Sequence, residues 1–174
     1  MTQTFLPYPN FKKTARVLDN KRLNSTINEG YEAYCYNLGN PSNRPLRHPH
    51  GHCVNRLWKG YEHTLRRYLT TLKKEAISRG LKPMNTEWFI SLEPEHNKQP
   101  PWLGINIFHT LYKRHLLYKD PLYYTKYFKR QYPTLGYIAP SKENPTQYKV
   151  YSSQYDKEEE EKFVSEFSLH CVSS

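Results

Sequence analysis

The chain has 174 residues, enough for one domain or a domain with a tail. Only 37% of them are apolar, so the core must be modest and must lean on 16 Tyr, 7 Phe and 3 Trp, whose rings bury much area each. Seven Gly argue against a turn-rich β-barrel, and no apolar run is long enough to span a bilayer. The start, MTQTFLPYPNFKK, lacks the apolar stretch of a secretory leader. The net charge of +10 is unevenly placed: residues 1–130 carry 22 Lys and Arg against 9 Asp and Glu (net +13), and residues 131–174 carry 4 against 7 (net −3). A basic body suits a polyanion, because neutralising phosphates releases counterions, but charge alone does not separate DNA, RNA and an anionic membrane. Cys35, Cys53 and Cys171 form no CxxC and are odd in number, which predicts reduced thiols in an intracellular, cytoplasmic setting.

Pro7 and Pro9 keep the first nine residues extended, and Asn10 caps a short helix over 11–18. Asp19 caps the next, which runs to about Leu38 and stops at Gly39. Its apolar positions, Leu23, Ile27, Tyr31, Tyr34, Cys35 and Leu38, recur by threes and fours, leaving Arg22, Ser25, Asn28, Glu29 and Glu32 largely on the other side. A Pro-rich basic loop over 40–50 precedes the clearest helix, 52–79, closed by Gly80. Residues 81–102 read as an irregular crossing, with a short strand or turn from Glu87 to Leu92. A third main helix spans about 104–119, Asp120-Pro121 breaks it, and Pro121 opens a short helix at its first turn. Beyond Pro133 the pattern weakens to a strand at 147–151 and an acidic helix in DKEEEEKFVSEF whose Phe163, Val164 and Phe167 dock on the body.

Four features carry chemistry: Thr2 behind Met1, Glu29, the His-rich HPHGH (His48, His50, His52), and PLYYTKYFKRQY, where rings alternate with cations. Each has a plainer reading: an ordinary chain start, a solvated helix acid, a structural turn, and a packed terminal helix. Zinc at HPHGH is a weak prospect, because alternate His on a loop lack a Cys or carboxylate partner.

Taken in order, MTQTFLP, LDNKRLNSTINEGYEAY, GHCVNRLWKGYEHTLRRYLTTLKKEAISRGL and DPLYYTKYF resemble the pyrimidine-dimer DNA glycosylases of the phage endonuclease V type, over roughly residues 1–130. The resemblance implies that Thr2, small enough for Met1 to be removed, supplies its α-amine as nucleophile. Glu29, seven residues after Arg22 as in the family spacing, becomes the essential acid. It further implies substrate contacts from Arg22, Asn28, His52, Arg56, Lys113, Arg114, Tyr124, Lys126 and Tyr127. Gln3 and Glu32 stand where the family has Arg, and nothing in the family corresponds to residues beyond 133. The chemistry has a physical basis: an α-amine titrates near pH 7.7–8.0, against about 10.4 for Lys, so a useful fraction is neutral at pH 7.

These readings together predict an all-α protein: a single compact helical domain of three main helices over 1–132, with an irregular C-terminal extension over 133–174. They predict a monomeric DNA glycosylase with AP-lyase activity on double-stranded DNA, using no cofactor and no metal and binding no membrane. The alternatives are a non-catalytic nucleic-acid-binding module on the same scaffold and a partner-binding protein that uses its acidic tail.

Overall fold

A computed structural model describes residues 3–39, 45, 53–84 and 97–171. The chain divides into two compact units, Met1–Thr4 with Asn10–Pro100 and Phe5–Pro9 with Pro101–Ser174.

The first unit is helical. Helix α1 (Phe11–Val17) starts at Asn10, whose side chain accepts from the Lys13 N–H at 2.9 Å. Helix α2 (Asn20–Asn37) starts after Asp19 and ends at Leu38 and Gly39, as the sequence predicts, with Gly39 at φ +76°. The predicted helix over 52–79 is two helices, α3 (Cys53–Trp58) and α4 (Glu62–Ser78). Gly60 causes the break: it turns at φ +83°, and its N–H is held by the Glu62 carboxylate at 2.8 Å. Apolar periodicity continues across this turn, which is why the sequence reads as unbroken. Helix α2 packs on α3 and α4, and α1 on α4. The closest approach is at Gly30, where a Cβ would sit 2.5 Å from Leu69 Cδ2.

Arg79, just past the end of α4, joins these helices. Its Nη1 and Nη2 donate to the Leu18, Ala15 and Arg16 carbonyls at 2.6, 2.8 and 3.1 Å, and its Nε to Glu75 at 2.9 Å. The last carbonyls of α1 have no partner within the helix, and one guanidinium satisfies three of them.

In the second unit, α5 (Asn106–Lys119) is followed by α6 (Pro121–Tyr124), with Pro121 in the first turn and the Asp120 side chain accepting from the Tyr123 N–H. The expectation of an all-α chain ending in an irregular extension is corrected here. Strands β1 (Gly136–Pro140) and β2 (Tyr148–Ser152) form an antiparallel hairpin, and α7 (Lys157–Cys171) follows. Of the described residues, 56% are helical and 7% lie in strands, and the helices number seven rather than three main ones. The fully buried β1 packs against α5, Tyr137 stacks on Tyr151 across the strands, and Phe163 and Phe167 of α7 are buried. The tail is ordered because these side chains complete the core of this unit.

The segment Phe5–Pro9 is tied to α5 through His109. The Gly104 N–H donates to His109 Nε2 at 2.9 Å, so Nδ1 carries the hydrogen and donates to the Leu6 carbonyl at 2.8 Å. Burial, chiefly, lowers the His109 pKa to about 4; the charge of Lys113 adds to this, and the Leu6 bond opposes it.

Two outcomes follow from these contacts. Arg79→Met leaves the α1 carbonyls without a donor and lowers stability by about 2–3 kcal/mol, measured as a shift of the urea midpoint. Above pH 6.5, His109 is neutral both folded and unfolded. Between pH 6.5 and 4 the unfolded chain takes up a proton that the folded one excludes, so stability falls with pH, by about 3 kcal/mol at most. Urea titrations across that range detect the slope, and His109→Gln reduces it.

Candidate functional site

Helix α2 carries the candidate acid. Arg22, Ser25 and Glu29 recur by three, four and seven, so they form one stripe beside the face that packs on α3 and α4. Glu29 is half-buried, with its Oε2 shielded from solvent. It directly precedes Gly30, the point of closest approach to α4, so the packing of Gly30 on Leu65 and Leu69 fixes where the carboxylate sits along the unit. Arg22 Nη1 lies 3.3 Å from Asp19 Oδ2, and both side chains are only 14% exposed. Asp19 thus occupies the capping position while its side chain engages Arg22 instead of a backbone N–H. Asn28 is half-buried one residue before Glu29, and Arg56 is half-buried on α3.

The beginning of the described chain is anchored in this same unit. Gln3 and Thr4 are 2% and 1% exposed, and Trp58 Nε1 on α3 donates to Thr4 Oγ1 at 2.9 Å. Helix α3 is bonded in turn to α2 through Asn37 Nδ2 and the Asn55 carbonyl at 2.9 Å. Thr2 and His52, with the rest of HPHGH and the strand or turn predicted at Glu87 to Leu92, lie outside the described residues. Among the described residues no three His, Cys, Asp or Glu side chains gather as a metal site, and no helix is long and apolar enough to cross a membrane.

The remaining candidates belong to the second unit. Lys113 Nζ lies 4.8 Å from the Tyr8 ring, and Lys126 Nζ lies 4.3 and 5.0 Å from the Tyr123 and Tyr127 rings. Lys113, Lys126 and Tyr127 border a concavity of about 310 Å³ with Tyr8 and Arg130. Arg114 is turned to the protein, with its Nε on Gln131 at 3.3 Å and its guanidinium 4.0 Å from the Tyr132 ring. Tyr124 is fully buried and stacked on Phe128, so it packs the unit rather than facing solvent. A larger, mostly apolar groove of about 890 Å³ lies between β2 and α7 and holds none of the candidate residues. Chemistry and charge, not groove size, therefore mark the site.

Sequence reasoning missed Tyr8, whose Pro-flanked position gives no periodic signal. It also missed Gly30, for which NEGY within a helical pattern was the available sign.

Charge and fold define a class, that of small, basic, mostly helical proteins suited to a polyanion. Within it, the family model for pyrimidine dimer DNA glycosylases matches residues 2–88, and the chain belongs to that family. It is accordingly a DNA-repair glycosylase, an enzyme whose substrate is DNA. No curated protein and no solved structure matches the chain.

The anchor at Thr4 has a measurable consequence. Thr4→Val removes the acceptor of a buried indole N–H and destabilises the protein by about 1–3 kcal/mol, visible as a lower melting midpoint by circular dichroism.

Proposed function

We propose that this chain excises a damaged or modified pyrimidine from double-stranded DNA and then cleaves the abasic site, with the α-amine of Thr2 as nucleophile and Glu29 as the acid–base group. The observation that carries this reading is the anchoring of Gln3 and Thr4 in the unit that holds Glu29, one residue downstream of the amine that loss of Met1 would expose. Two others support it: the family match begins at residue 2, and one oxygen of Glu29 is withdrawn from solvent.

The neutral amine attacks C1′ of the deoxyribose, a C–N bond forms, and the glycosidic bond breaks as the base leaves with a proton. Glu29 stabilises the positive charge that develops on the sugar and protonates the ring oxygen as the sugar opens to an iminium. Loss of a C2′ proton to a carboxylate then expels the 3′-phosphate, and water releases the amine. The target nucleotide must leave the stack first, which costs a few kcal/mol and less at a damaged pair. Arg22, Asn28, His52 and Arg56 hold the strand around the acid. Lys113, Lys126 and Tyr127 contribute cations and an exposed ring from the second unit, where Tyr124 serves as packing and Arg114 is turned to Gln131 and Tyr132.

Borohydride trapping on an abasic duplex tests the proposal. The processed protein forms a covalent adduct, and Glu29→Gln slows adduct formation by roughly 10²–10⁴-fold while leaving DNA affinity nearly unchanged. Intact mass establishes that Met1 is absent from the trapped species. Absence of an adduct with processed protein that still binds DNA makes the chain a non-catalytic nucleic-acid-binding module instead.

A further inference from the structure

We infer that the groove between α1 and α4 is a second DNA contact, a seat for the phosphodiester backbone away from the stripe that carries Glu29. This rests on DNA being the substrate and not on the amine chemistry. The groove has a volume of about 270 Å³, with Lys12 and Arg16 on one wall and Thr71, Lys74 and Ser78 on the other. Lys12 and Arg16 are one helical turn apart and share a face of α1, with Cβ atoms about 5–6 Å apart.

Like charges at this spacing destabilise a helix, and Lys74 brings a third across the groove. The one acid lining the groove, Glu75, is engaged by Arg79 at 2.9 Å. Among the described residues, none of Lys12, Arg16 and Lys74 forms an ion pair. The hydroxyls of Thr71 and Ser78 donate to backbone carbonyls of their own helix, which leaves their oxygens as acceptors and their role at the seat secondary. The walls are held in place by the bonds from Arg79 to the end of α1, so the backbone positions that carry the three exposed cations keep a fixed separation. A cluster of cations whose one neighbouring acid is already engaged by Arg79 suits a phosphate backbone and contacts that carry no sequence preference.

The test is Lys12→Gln/Arg16→Gln/Lys74→Gln in the full chain, with binding to short undamaged and abasic duplexes followed by anisotropy over a range of salt. The slope of log K against log salt becomes shallower by roughly 2–3, and affinity at low salt falls roughly tenfold or more, equally for both duplexes. A control with three exposed cations of the second unit changed, Lys142, Lys157 and Lys162 to Gln, keeps the wild-type slope. A wild-type slope and affinity in the groove variant overturns the inference, as does an equal loss in the control. Should the triple variant fail to fold, Lys74→Gln at its exposed position gives a slope change of about 1 or, if the inference is wrong, none. The groove variant still forms the borohydride adduct at saturating DNA. A wild-type protein that forms no adduct defeats the amine mechanism and leaves this seat standing.

Discussion

The guanidinium of Arg79 is the constraint on which the first unit depends. A seven-residue helix such as α1 is too short to be stable by itself, and its terminal carbonyls need donors. Arg79 supplies them from the far side of α4, at residues more than sixty positions earlier in the chain. With α1 fixed, the turn at Leu18 and Asp19 is fixed, and so is the direction in which α2 leaves it. Gly30 then seats α2 on Leu65 and Leu69, and Glu29, its neighbour, inherits a defined position. The same guanidinium engages Glu75 and so leaves the cations beside it without an acid.

The second unit is organised around a different device. Its first segment, Phe5–Pro9, lies far in sequence from the rest and has no regular structure to hold it. Phe5 meets Tyr112 and His115 edge-on, and His109 accepts from one backbone N–H and donates to one backbone carbonyl, a combination that a charged imidazole could not make. The neutral ring is therefore structural here, although a His in a DNA-acting protein first suggests a phosphate contact. The C-terminal residues, which lie beyond the stretch that the family model matches, supply the hairpin and α7, whose Phe167 meets Phe108 of α5.

What the sequence made legible was local. Asn10 and Asp19 before helices, Gly39 and Gly80 after them, and Pro121 at a first turn are each decided by backbone chemistry within a few residues, and the structure keeps all of them. The break at Gly60 escaped because Trp58 and Leu65 remain apolar on both sides of it. Strand β1 escaped because GYIAP is a short apolar run with no alternation, the pattern of a strand buried throughout. Glu29 and Arg22 stand on one stripe of α2 as their seven-residue spacing requires, yet nothing local foretold that Asp19 would engage Arg22. Tyr124 illustrates the opposite limit: a ring among cations looks like a ligand contact, and only the tertiary stacking on Phe128 reveals a core residue.

The substitutions that distinguish this chain from the family it resembles can be followed to their physical consequence. Gln3 stands where the resemblance leads one to expect Arg, and it is almost wholly buried; a guanidinium there would lose its hydration and demand an anion, whereas a neutral amide does not. Glu32 stands where another Arg is expected and puts a second carboxylate one turn from Glu29 on α2, a poor neighbour for a phosphate. Both changes remove positive charge, yet the first 130 residues still carry a net +13. The attraction for DNA must then be distributed over other surfaces. A backbone contact such as the groove between α1 and α4 lets that attraction act without a phosphate resting beside the two carboxylates of α2, whose like charge would repel it.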